Sequence, residues 1–325
     1  MQICYCKGYE SLVIPFSFLS KNEEVIIYAR SDDIIKVCQY FNIPFIRGVN
    51  FNLRELLLFP DIVKKRILRS LKKRINLKKA EFHFMHKNSD ILEFIMMGVL
   101  ATQECSVYFH KLEKDFEADF PPIKYGLKWL IIKKLLKLYY NVDITIREEF
   151  NRVIPVLKRK CLNDFGVKFV DYESIQQFFY KTYMNFNNLN LPKCKNLFLY
   201  PSIAEISTWV TKESLYKLLK FIEGFEIYYK FHPNRAENVR KKIKTYPSFL
   251  PAELLVKLTE KNVIGIWSSV FRFSQLIPNI NTVCCAELLE WYSKAKKEYY
   301  MKFLYMWDGN LKVPRTYKEL ELFLK

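Results

Sequence analysis

Short runs of β-branched, aromatic and other apolar residues alternate along the whole chain with longer stretches whose apolar positions recur every three or four residues. Compact apolar runs bounded by polar turns read as strands, and the longer periodic stretches read as helices. In the first half, strands are predicted at Gln2–Cys6, Val25–Ala29, Pro44–Arg47, Glu81–Met85 and Ser106–His110. In the second half they are predicted at Asn196–Tyr200, Glu226–Phe231, Val263–Trp267 and Thr282–Cys285. Strands regularly separated by helices predict parallel α/β architecture and not a sandwich or a bundle. Between the two sets, residues 126–192 read as a long helical and irregular region that closes on an asparagine-rich stretch, residues 185–192. A boundary there gives an N-terminal domain, 1–190, and a C-terminal domain, 191–325. No internal repeat is visible.

Length agrees with two domains, since 325 residues exceed the roughly 100–200 typical of one. The charge balance adds something the pattern does not. A net charge of +18 with only 8 Gly and 13 Pro leaves no low-complexity tail to carry it, so the charge belongs to a folded surface. Such a face attracts nucleic acid, anionic lipid or phosphorylated substrates. Nine of the sixteen residues from Lys64 to Lys79 are Lys or Arg, with Val63, Ile67, Leu71 and Ile75 forming one apolar stripe of a predicted helix. A second predicted helix, residues 127–140, sets Lys128, Lys133, Lys134 and Lys137 among Trp, Leu and Ile. Lysines can reach lipid phosphates while such neighbours enter the acyl boundary, so an anionic membrane surface is the expected partner of these helices. The plainer reading is two amphipathic helices packed on a sheet with solvated basic faces. A nucleic-acid partner is not expected, because neither an aromatic β platform nor a helix-turn-helix is present.

The eight cysteines lie mostly in apolar, strand-like surroundings without paired C-x-x-C spacing, which predicts reduced core thiols and no structural zinc. The four histidines have no zinc-motif spacing with them. The opening residues have no basic segment followed by an apolar stretch, so no secretory signal is expected there. The longest apolar run, near Phe94 to Ala101, is far below the ~20 residues that span a bilayer. These features predict a cytoplasmic protein.

Candidate chemistry concentrates in two segments of the second half. A strand rich in aromatics ends at His232-Pro233, with a helix predicted from Ala236, and the strand Val263–Trp267 runs into Ser268-Ser269, predicted to cap the next helix. Ligands of open α/β sheets bind outside the carboxyl ends of the strands. Small hydroxyls at a helix start make an anion site. Two strand ends taken as neighbours, one offering a histidine and the other a serine pair, thus predict a phosphate cradle. Taken singly, a histidine before proline is commonly a turn residue and a serine pair commonly a plain cap.

The order strand-His-Pro, then Pro251-Ala252-Glu253-Leu254-Leu255, then strand-Ser268-Ser269, resembles the bacterial lipooligosaccharide sialyltransferases and, more distantly, the bacterial polysialyltransferases. The resemblance covers about residues 195 to 290. It implies a GT-B fold, with two Rossmann-like domains facing across a cleft, and a CMP-sialic acid donor held mainly by the C-terminal domain. By position it implies that His232, with Pro233 beside it, contacts the CMP phosphate and assists its departure. It implies further that Ser268 and Ser269 bind the same phosphate and that Glu253 bonds the ribose hydroxyls. Members of the family transfer with inversion and without metal, so neither a metal nor a cofactor is expected, the CMP-sugar being a substrate. The acceptor implied is a lipid-linked oligosaccharide of a bacterial surface glycan (lipooligosaccharide, O-antigen or capsule). Location is then peripheral, on the inner face of the cytoplasmic membrane. Where these families carry an acidic-acidic-Gly motif, this chain has Glu113, Asp115, Glu117 and Asp119 without it. Candidates for the general base are Glu113, Asp115 and, after the first strand of the second half, Glu205. Two other readings fit the same residues. One is the same scaffold with another donor (a different nonulosonate, Kdo or a hexose nucleotide), and the other is a non-catalytic basic protein at a membrane surface or on nucleic acid.

Overall fold

The computed structural model describes residues 1–86, 91–111, 127–149, 152–157, 165–172, 175–232, 243–305 and 311–325. The chain divides into two compact units, Met1–Phe186 and Asn187–Lys325.

In the first unit, β1 (Gln2–Cys6), β2 (Val25–Ala29), β3 (Phe45–Arg47), β4 (Glu81–His86), β5 (Ser106–Lys111) and β8 (Val167–Asp171) form one parallel sheet, in the order β3-β2-β1-β4-β5-β8. Strands β6 (Ile144–Glu149) and β7 (Arg152–Leu157) pair with each other as an antiparallel hairpin. In the second unit, β9 (Cys194–Leu199), β10 (Tyr228–Lys230), β11 (Lys244–Thr245), β12 (Thr259–Gly265), β13 (Asn281–Cys284) and β14 (Leu311–Lys312) repeat the plan as β11-β10-β9-β12-β13-β14. Each unit starts in mid-sheet, winds to one side and crosses back to the other, which is the doubly wound Rossmann-like plan. The expected α/β class is therefore observed. The region 126–192 differs from its reading as helical and irregular, for it holds the hairpin and the edge strand β8. Its β-branched runs, Ile144-Thr145-Ile146 and Val153-Ile154, pair as strands.

The first unit carries α1 (Val13–Leu19), α2 (Asp32–Tyr40), α3 (Leu53–Leu58), α4 (Pro60–Lys72), α5 (Ile91–Leu100), α6 (Leu127–Tyr140) and α7 (Ile175–Asn185). Local chemistry marks several starts. Ser31 caps α2 by accepting from the Ile34 amide, and Asn52 with Glu55 forms a reciprocal capping box on α3. The basic helix is expected to continue to Lys79, but α4 stops at Lys72, and Leu77–Lys79 is a separate single turn whose Lys78 amide donates to the Asn76 side chain. Asparagine competes with helix by bonding its own backbone neighbours. Val63, Ile67, Leu71 and Ile75 are all buried as the stripe requires. Helix α5 is buried from Leu92 to Leu100, and a Cβ at Gly98 would lie 2.5 Å from the Tyr140 carbonyl, so glycine sets how closely α5 meets the end of α6.

One face of this sheet holds a buried polar chain. Tyr172 Oη donates to His110 Nδ1 (2.7 Å), His110 Nε2 to His83 Nδ1 (2.9 Å), and His83 Nε2 to Gln2 Oε1 (2.6 Å). The Gln2 amide nitrogen then donates to Glu23 (3.2 Å), which fixes this direction for the whole chain. Both imidazoles are neutral in it, since an extra proton would fall on a nitrogen already accepting. Burial lowers His83 to about 4, helped by the N-terminal ammonium, and lowers His110 to about 3, helped by His83. Unfolded histidine binds its proton near pH 6.5, so below that pH the unfolded chain holds more protons than the folded one. Stability is thus complete above about pH 6.5 and falls as pH drops towards 4, by up to about 1.4 kcal/mol per pH unit for each histidine. Urea midpoints measured between pH 7 and 4.5 are expected to fall accordingly. The double variant His83→Gln/His110→Gln, which keeps polar capacity but cannot titrate, is expected to show a flatter dependence.

The second unit carries α8 (Ile203–Ile206), α9 (Lys212–Ile222), α10 (Ala252–Val256), α11 (Val270–Ser274), α12 (Lys294–Tyr305) and α13 (Tyr317–Leu324). Its core joins Phe198, Tyr229 and Ile264 of the sheet to Leu215, Leu218 and Ile222 of α9 and to Leu320 of α13. Across β9, β12 and β13, three asparagines in register form a ladder. Asn281 Nδ2 donates to Asn262 Oδ1 (3.0 Å), and Asn262 Nδ2 donates to Asn196 Oδ1 (2.6 Å) and to the Phe323 carbonyl (2.6 Å). Asn196 Nδ2 donates to the Leu324 carbonyl (3.1 Å), so the ladder satisfies carbonyls at the end of α13 that the helix itself leaves open. The seven described cysteines are free thiols, six of them buried. Among the described residues no helix is long and apolar enough to cross a membrane.

Candidate functional site

The winding of the second sheet reverses between β9 and β12, and in such sheets the crevice beyond the carboxyl ends at the reversal is where ligands bind. Leu199 of β9 pairs with Lys230 of β10 on one side and with Gly265 of β12 on the other. Just beyond that row come Tyr200-Pro201-Ser202 in the middle, Phe231-His232 on one flank, and Ile266-Trp267-Ser268-Ser269 on the other. His232, Ser202 and Ser268 are each half-buried, and Ser269 is exposed.

The two strand ends taken as neighbours from the sequence are not neighbours. Strand β9 lies between β10 and β12, so His232 and Ser268 leave strands about 10 Å apart, two interstrand steps. Ser202, at the end of the middle strand, falls between them and was not singled out from the sequence. The serine pair also differs from a simple cap. Helix α11 has only five residues, Ser269 makes no side-chain cap bond, and Ser268 Oγ instead accepts from the Val270 amide (3.2 Å). That bond uses one lone pair of Ser268, whose O–H remains a donor by chemistry. A Cβ at Gly265 would lie 3.1 Å from Phe271 Cζ, so glycine there lets the buried Phe271 of α11 close over the end of β12.

Lys230 was also missed. It is buried, and its Nζ donates to the Phe231 carbonyl (2.7 Å) and the Ser248 carbonyl (2.8 Å). A buried ammonium needs such partners. Here it pins the loop after β11 to the end of β10, two residues before His232. The only sign in the sequence is a lone lysine inside an aromatic strand. Five residues after Ser248 the same loop delivers Glu253, half-buried in the first turn of α10. Glu205 lies in α8, the single turn that follows β9, and its side chain is outside the described residues. Glu113, Asp115, Pro233 and the helix expected from Ala236 also lie outside them.

The first sheet reverses between β1 and β4. Beyond those strand ends is a shallow recess, partly open to solvent and with room for little more than a water, lined by Tyr5, Lys7, Gly8, Glu10, Ser11, Met85 and Glu93. Its two carboxylates, Glu10 and the buried Glu93, escaped the sequence reading because Glu93 sits within a strongly apolar helix.

No protein-family model matches the chain and no curated protein resembles it in sequence. Solved structures that resemble it include the glycotransferase of kitacinnamycin, at 6% identity and TM-score 0.46 over 99% of this chain and 88% of that one. UDP-GlcNAc 2-epimerase from Methanocaldococcus jannaschii resembles it at 12% identity and TM-score 0.46, over 100% and 93% of the two chains. The spinosyn forosaminyltransferase SpnP does so at 9% identity and TM-score 0.40, over 97% and 85%. The α/β assignment rests on the strand order of the two sheets themselves.

Proposed function

We propose that this chain is a glycosyltransferase whose second unit holds the phosphate of a nucleotide-sugar donor at the carboxyl ends of β10, β9 and β12. One observation carries the reading. The strand order sets His232, Ser202 and Ser268 at three neighbouring strand ends where the sheet reverses, with Ser202 in the middle. Histidine and hydroxyl groups are donors that phosphate accepts from. The chemistry asks little else. An acceptor hydroxyl loses its proton to a carboxylate as it attacks the anomeric carbon, and the departing nucleotide gathers negative charge on its phosphate. In this reading His232 assists that departure, Ser268 and Ser269 bind the phosphate, Glu253 bonds the ribose, and the base is one of Glu205, Glu113 and Asp115.

The His-Pro, Pro-Ala-Glu and Ser-Ser order supports CMP-sialic acid as the donor, with inversion, no catalytic metal and a lipid-linked bacterial glycan as acceptor. The same phosphate contacts would serve another nucleotide sugar, and the base carried by the nucleotide separates the two. The test is thermal unfolding with CMP, UMP, UDP, GDP and ADP at equal excess. CMP alone is expected to raise the midpoint, since a ligand at 100 times its Kd stabilises by about 2.7 kcal/mol. A shift with UDP or GDP instead would retain the phosphate site and discard the sialic acid donor. No shift with any of them would overturn the assignment.

A further inference from the structure

The first unit carries an exposed apolar and cationic surface that is no part of the proposed phosphate site. Large apolar side chains stand in solvent at the corner between α3 and α4 (Leu58, Phe59 and Ile62) and along α6 (Leu130, Ile131 and Leu138), with Leu58 62% and Leu138 69% exposed. On α4, Ile62 shares its face with Lys65, Arg66 and Arg69, at spacings of three, four and seven residues, opposite the buried stripe Val63-Ile67-Leu71. On α6 the exposed row Leu130-Lys134-Leu138 alternates apolar and cationic residues, opposite the buried row Ile132-Leu136-Tyr140. The two elements adjoin. Tyr140 Oη donates to the Leu56 carbonyl (3.0 Å), and Lys64 Nζ lies 5.6 Å from the Tyr140 ring centroid. Acids near them are already matched, Asp61 with Lys64, Glu55 with Arg66, and Asp143 with Lys133 and Lys137. Residues 64–79 contain no acid at all.

We propose that this corner docks on an anionic lipid bilayer, with Leu58, Phe59, Ile62 and the Leu130-Leu138 row entering the interface and the α4 and α6 cations meeting the headgroups. Charge complementarity selects this occupant. Lipid phosphates satisfy the cations at the same depth at which acyl chains take the apolar side chains. A second copy of this chain would instead set two basic faces against each other. Lys64, packed on Tyr140, is a structural lysine here, so the headgroup contacts fall to Lys65, Arg69, Lys72 and Lys134. The inference stands whether or not the sugar-transfer reading does.

Flotation with extruded vesicles tests it, using phosphatidylcholine alone and phosphatidylcholine with phosphatidylglycerol. The protein is expected to float only with the anionic vesicles. The variants Phe59→Ser/Ile62→Ser/Leu138→Ser and Lys65→Glu/Lys72→Glu/Lys134→Glu are each expected to bind at least tenfold more weakly while keeping the wild-type unfolding midpoint. All these side chains are solvent-facing, so folding is not at risk. Failure of the wild type to float, or flotation of the apolar triple variant like wild type, would overturn the proposal. So would a concentration-dependent dimer abolished by the apolar variant without any vesicle binding, or tight salt-sensitive binding to mixed-sequence DNA in place of lipid.

Discussion

Asn262→Leu is expected to destabilise the second unit by about 3–5 kcal/mol. The Asn262 side chain is fully buried, donates two hydrogen bonds and accepts one. Leucine fills a similar volume, so the loss is one of polar satisfaction and not of packing. It strands the Asn196 carbonyl oxygen, one Asn281 donor and the Phe323 carbonyl at once, and each buried group left unpaired costs about 1–3 kcal/mol. The part-buried Asn281 makes one of these bonds, and Asn281→Ala is expected to cost about 1 kcal/mol. Urea unfolding followed by tryptophan fluorescence reads this directly, because Trp209, Trp267 and Trp291 lie in this unit. Equal losses for the two variants would mean that the ladder is not what holds the end of α13 to the sheet.

His232→Ala is expected to lower kcat by about 10²–10³-fold while changing the affinity for the free nucleotide by less than about threefold. The asymmetry follows from when the charge appears. In the proposed reading the serines meet the phosphate charge of the bound donor, whereas the additional charge of the departing nucleotide develops only in the transition state. A donor aimed at that charge affects rate far more than binding. Turnover of CMP-sialic acid and calorimetric binding of CMP, measured on both proteins, provide the check. Unchanged kcat with weakened CMP binding would make His232 an ordinary ground-state contact and remove it from the chemistry.

Several features of this protein were legible along the chain. The alternation of β-rich and 3.6-period segments determined the parallel α/β class, and the apolar stripe of α4 determined which of its faces is buried. The strands that lead to His232 and Ser268 were legible too, from their aromatic and β-branched runs. These are local properties, since side-chain period and turn chemistry act within a few residues of one another. Strand order was decided only by the tertiary structure. Nothing near His232 or Ser268 says that β9 inserts between their strands, because that pairing joins Leu199 to Lys230 and Gly265 over long sequence separations. The burial of Lys230 and Glu93 likewise depends on carbonyls and helices contributed from elsewhere in the chain. The exposed apolar corner at Leu58, Phe59 and Ile62 is the converse case. Their apolar type alone does not say whether they are buried, and only the packing of the other helices leaves them in solvent, because a core closes when its faces are covered and not when its apolar residues are used up.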